Sequence, residues 1–79
     1  MSAQHCYLRL GGDTLEQAKE HLTIGEAMES YRATMEELYD LGQGITASIH
    51  IADARAAVAE YPDYILSRGP RGGVVKEKA

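Results

Sequence analysis

The side chains best suited to metal or nucleophilic chemistry in this 79-residue chain are His5, Cys6, His21 and His50. Their spacing matches no zinc-binding pattern, and adjacent residues such as His5 and Cys6 point to opposite faces of a strand. A metal site is not expected, and no cofactor is implied. Cys6 alternates with Leu8 and Leu10, which puts its thiol on an apolar side where burial makes it unreactive. A single cysteine cannot form an internal disulfide, which fits a cytoplasmic setting. There is no GxSxG motif and no convincing Ser-His-Asp arrangement, and so short a chain leaves little room for a walled pocket. The chain is therefore not expected to be an enzyme, unless a site assembles across a dimer.

The run Arg68-Gly69-Pro70-Arg71-Gly72-Gly73 has a different potential chemistry. Two arginines on a tight backbone, Arg68 and Arg71, suit a phosphate or carboxylate. The run lacks the Lys-Ser/Thr of a P-loop, and no helix follows to contribute its N-terminus. A hairpin turn with solubilising charges is the simpler reading. As a secondary anion loop it would suit an acidic protein patch or a nucleic-acid backbone better than a nucleotide.

Charge is the most strongly patterned property. Eight acidic residues and two basic ones lie between Asp13 and Asp40, whereas the last fourteen residues carry Arg68, Arg71, Lys76 and Lys78 against Glu77. Within Ile24–Leu41, the acids Glu26, Glu29, Glu36, Glu37 and Asp40 meet only Arg32. Such an excess costs stability through repulsion at helical spacings, and its field steers a protein toward a basic cleft of the kind that holds DNA or RNA. These five acids, with Tyr31 and Tyr39 as aromatic anchors, form the candidate partner-binding set. The net charge of −4 disfavours nonspecific attraction of the whole molecule to DNA or anionic membrane.

The elements that must position these residues follow from periodicity. A hydrophobic content of 44% and a charged content of 25% are ordinary for a globular chain, and the length suits one small domain with a limited core. His5–Leu10 alternates as a half-buried strand closed by Gly11-Gly12. Asp13 and Glu16 approximate a capping box ahead of a short helix over TLEQAKEHL. A second box, Thr23 with Glu26, opens the clearest helix, Ile24–Leu41, with Gly42 placed to terminate it. Ile45–Ile51 alternates as a second strand, an Ala-rich helix spans Ala54–Glu60, and Tyr64–Ser67 and Val74–Lys78 form a hairpin. The expected fold is α+β, in the order β-α-α-β-α-β-β, with the helices on one face of a mostly antiparallel sheet. No apolar run is long enough to span a bilayer, and no signal peptide precedes the first strand.

Taken together, the segment Ala59–Val75 (AEYPDYILSRGPRGGVV) and the acidic, tyrosine-containing helix resemble the short proteins that phages and mobile elements carry to block bacterial defences. The nearest group is the anti-CRISPR proteins acting on type I effector complexes, type I-C in particular. That resemblance implies a non-enzymatic inhibitor in the bacterial cytoplasm. Such a protein docks on the crRNA-guided surveillance complex and presents an acidic surface to its Lys- and Arg-lined DNA channel, without touching nucleic acid itself. Anti-CRISPR proteins share no common motif, so no residue role carries over. The alternative reading is a small dimeric accessory module that contacts nucleic acid or protein through its basic C-terminal hairpin.

Overall fold

The computed structural model describes residues 4–38 and 45–79. The fold is α+β: one helix lies against a five-stranded, wholly antiparallel sheet. The strands are β1 (His5–Leu10), β2 (Lys19–His21), β3 (Ala47–Ala52), β4 (Tyr64–Arg68) and β5 (Val74–Lys78), and the helix α1 spans Ile24–Leu38. Across the sheet they run β2-β1-β3-β4-β5.

Helix α1 begins where the capping box predicts. The Thr23 hydroxyl accepts from the Glu26 amide at 3.1 Å, and the Ala27 amide reaches the Thr23 carbonyl at 3.1 Å. Ala27, Tyr31 and Met35, four residues apart in succession, form the buried stripe. They pack on Cys6 and Leu8 of β1, Ala47 and Ile49 of β3, and Leu66 of β4. The Tyr31 hydroxyl, inside this layer, donates to the Ile45 carbonyl at 2.5 Å. The expected helix terminator Gly42, together with Tyr39, Asp40 and Leu41, lies outside the described residues.

Two of the three expected helices are replaced. Residues Leu15–Gln17 form only a 3-10 turn, and Lys19–His21 then pairs with Cys6–Leu8 as the edge strand β2. In that expected helix the apolar residues Leu15, Ala18 and Leu22 bury too little to offset helix nucleation, and Leu22 stays 67% exposed. The open edge of β1 supplies backbone hydrogen bonds instead. The cap is also displaced by one residue, since the Thr14 amide donates to Gln17 Oε1 at 2.9 Å. Likewise Ala54–Glu60 contains only the 3-10 turn Arg55–Ala57, because alanine side chains give that segment little area to bury.

These two turn segments lie on the sheet face opposite α1. There Tyr7 of β1 and Ala52 of β3 pack with Ala18 and Val58. α1 covers one side of the sheet, and short irregular segments cover the other. Truncation in the main layer, Ile49→Ala, is expected to cost about 2–5 kcal/mol in urea unfolding. Tyr31→Phe, which removes only the bond to Ile45, should cost about 1 kcal/mol. An equal cost for the two would show that the buried stripe does not carry the stability assigned to it.

Candidate functional site

The helix positions the acidic set, and the structure divides that set by role. Glu26 is engaged at the helix start, where its Oε2 accepts from the Leu22 amide at 3.0 Å. Glu29 and Glu36 sit on the exposed side and share Arg32. The guanidinium bonds Glu36 Oε1 at 2.8 Å, and reaches Glu29 through Nε at 3.2 Å and through Nη2. That contact holds the Glu29 carboxyl below the usual glutamate range, chiefly through the hydrogen bond from Arg32. The same contacts hold the Arg32 proton more firmly. Glu37 is exposed one position on, and no ion pair engages it among the described residues.

Tyr31 does not belong to this surface. It is fully buried, and burial raises the pKa of its hydroxyl. The inward stripe and the outward acidic face are incompatible positions on one helix, and Tyr31 takes the former. Tyr39 and Asp40 lie outside the described residues. What the structure brings together is therefore Glu29 and Glu36 at Arg32, with Glu26 and Glu37 exposed on the same helix.

Beside Glu37 lies a cleft of about 240 Å³ between α1 and the β1–β2 side of the sheet, with Gln17 at its margin. Leu8 and Leu10 line it together with Asp13, Lys19, Thr34 and Glu37. Its charges are of both signs, so the acidic field is interrupted at this side of the helix.

The two arginines of the glycine-rich run separate. Arg68 sits in β4 on the side under α1, in register with Val74 and close enough for its charge to oppose the rise in the Tyr31 pKa. Arg71 stands exposed in the β4–β5 turn. The turn itself is a hairpin connection: the Gly72 amide bonds the Gly69 carbonyl at 3.0 Å, and Gly72 takes φ 84°, a left-handed conformation that suits glycine. Pro70 occupies the second turn position, where its fixed φ is already correct.

Sequence reasoning missed the polar row on the second face. His50 is 1% exposed, and its Nδ1 donates to the Ala59 carbonyl at 2.8 Å. A carbonyl only accepts, so in the neutral ring Nε2 is left to accept from the Ser48 hydroxyl, 2.9 Å away. Arg9 Nε approaches the same hydroxyl at 3.4 Å. Tyr7 donates to Glu20 Oε2 at 2.9 Å, with Arg55 5.3 Å above its ring. Arg55 also bonds the Glu16 carbonyl at 3.1 Å. A serine–histidine bond is the start of a nucleophilic pair. Here Ser48 is buried, and both neighbours already occupy its oxygen. The row holds the Arg55–Ala59 segment to the sheet. Strand alternation put Ser48 and His50 on one face, but nothing local announced that this face would be covered.

Cys6 lies in the main layer, and burial, followed by the charges of Asp63 and Glu26, raises its thiol pKa. Among the described residues no group of three or more His, Cys, Asp or Glu is placed to hold a metal ion. No helix among them is long and apolar enough to cross a membrane.

The Arg32 contact gives a pH signature with a definite sign. The Glu29 carboxyl is depressed on folding, so its contribution is complete above the ordinary glutamate pKa and is lost as pH falls through the lower folded value. Side-chain carboxyl NMR should show Glu29 titrating below its reference value of 4.5, and Arg32→Gln should return it toward that value. An unchanged titration in that variant would remove Arg32 as the cause.

Comparison of the chain with known protein families, with curated proteins and with solved structures gives no match.

Proposed function

We propose that this protein works by binding, as an inhibitor whose acidic helix face competes with nucleic acid for a basic site on another protein. The observation that carries this reading is the exposed cluster on α1. Glu26, Glu29, Glu36 and Glu37 are all exposed on one helix; Arg32 engages Glu29 and Glu36, so three negative charges remain uncompensated within the set. The four carboxylates extend along roughly 16 Å of helix. Duplex DNA carries a charge about every 1.7 Å, so the helix has less than half its linear density. Competition then rests on fixed geometry as well as on field strength. Arg32 supplies part of that geometry by tying two of the carboxylates to one point.

The resemblance to anti-CRISPR proteins gives the proposal its partner class: a type I crRNA-guided surveillance complex in the bacterial cytoplasm, with the acidic face lying in its DNA-receiving channel. No catalytic step is part of this reading. The Ser48–His50 pair, the nearest approach to a nucleophile and base, acts here as a crosslink within the fold.

The test is capture of a type I effector from bacterial lysate at low and high salt, read by mass spectrometry. The native chain should recover effector subunits, and recovery should fall as salt rises. Replacing Glu29, Glu36 and Glu37 together by Gln should lower recovery at least tenfold and leave the circular dichroism spectrum unchanged. Undiminished capture by that triple variant would sink the acidic-face reading. A salt-sensitive gel shift of duplex DNA by the protein alone would favour the basic hairpin as the working surface.

A further inference from the structure

The fifth strand ends the sheet, and its outer side is unpaired among the described residues. β5 pairs only with β4, in an unbroken register from Arg68↔Val74 to Tyr64↔Lys78. Two further bonds fix the phase of that ladder. The Gly69 amide donates to the Gly73 carbonyl at 2.7 Å, and the Ala79 amide to the Asp63 carbonyl at 3.2 Å. Hydrogen-bonded pairs recur at every second position of an antiparallel ladder. Val75 and Glu77 therefore turn their backbone groups toward β4. Val74, Lys76 and Lys78 turn theirs outward, three successive donor and acceptor sets along an open edge.

The side chains of those same three residues share one face of the strand, while Val75 and Glu77 occupy the other. Lys76 is held in place from beneath, with its ammonium 4.9 Å from the Tyr64 ring centroid. An incoming strand that bonds to Val74, Lys76 and Lys78 would set its own alternate residues across from the two lysines. Carboxylates fit those positions. On the other face, Glu77 repels a carboxylate placed opposite it.

A second copy of this chain is a poor occupant. Two β5 strands joined by a two-fold axis through the sheet keep their faces aligned. The registers centred on Lys76 or Glu77 then bring Lys76 against Lys76 or against Lys78. Like charges directly opposite are unfavourable, and edge lysines are a recognised guard against self-pairing.

We infer that the open edge of β5 is a docking site for an extended segment of another protein carrying acidic residues at alternate positions, added to the sheet as a sixth strand. Backbone bonds to Val74, Lys76 and Lys78 supply the attachment, and the lysine face selects the partner. The site is on a different element from the acidic face of α1 and does not depend on that surface having a partner.

The experiment uses the isotopically labelled chain and a short synthetic peptide alternating Glu and Thr, followed by amide hydrogen exchange in NMR. Binding should slow exchange at Val74, Lys76 and Lys78 while leaving Val75 and Glu77 unchanged, since the latter are already paired. A peptide of the same composition with its glutamates in one block should bind at least tenfold more weakly. Lys76→Gln with Lys78→Gln should weaken the alternating peptide by a similar factor. Lys76→Pro, which removes an amide that β4 does not use, should abolish the protection while preserving the dispersed spectrum of the folded chain. Uniform shifts without the alternating protection would overturn the inference. So would the same protection arising on concentration of the protein alone, or with duplex DNA but not with the peptide.

Discussion

A strand buried on both faces needs two covering layers, and the described residues hold one long helix. β3 is that strand: Ala47, Ser48, Ile49, His50 and Ala52 are all buried, at the centre of the five-stranded sheet. The apolar layer under α1 is ordinary, built from alternating sheet residues and a helical stripe. The opposite layer is made without a helix, from two 3-10 turns and their extended continuations. Such segments bury little apolar area, so polar side chains bind their backbones to the sheet and to one another. His50 reaches the Ala59 carbonyl, and Arg55 reaches the Glu16 carbonyl. Each bond also satisfies a carbonyl that no ladder or helix would otherwise use.

The parts visible in the sequence are those whose pattern is complete within the element itself. β1 alternates strictly, the glycine-rich run marks the β4–β5 turn, and α1 carries both a capping box and a four-residue repeat of inward side chains. The second layer was not visible, because its identity depends on where the chain travels after each strand. Tyr7, Ser48 and His50 look like a polar outer face until Ala18 and Val58 are brought over them. The two misread helices fail for one physical reason: each has helical composition but too little apolar surface to outweigh an edge strand or a tight turn. The candidate site was visible as charge and less so as geometry. Periodicity placed the carboxylates outward, yet it did not distinguish Tyr31 as a core residue from Tyr31 as an anchor.

The charge segregation in the sequence survives folding, but with local structure imposed on it. On α1, Arg32 ties Glu29 and Glu36 together, while Glu26 is drawn back to the helix start. The basic end is likewise divided: Arg68 lies toward the helix, Arg71 stands at the turn, and Lys76 and Lys78 follow the sheet margin. A count of charges along the chain therefore overstates how much of each sign is available at one place.

The strand order also bears on how the chain reaches this state. The β4–β5 hairpin joins near neighbours and can close on the microsecond scale of isolated hairpins. The central β1–β3 ladder is different, because Leu10 meets Ala47 only after residues 11–46 have been gathered into a loop. The length-dependent part of that closure costs on the order of 3 kcal/mol in chain entropy. α1 lies inside the loop and docks on both strands it separates, so helix docking and ladder formation reward one another. Folding should therefore be limited by a late, cooperative closing of the sheet centre, with the C-terminal hairpin forming early as a local unit.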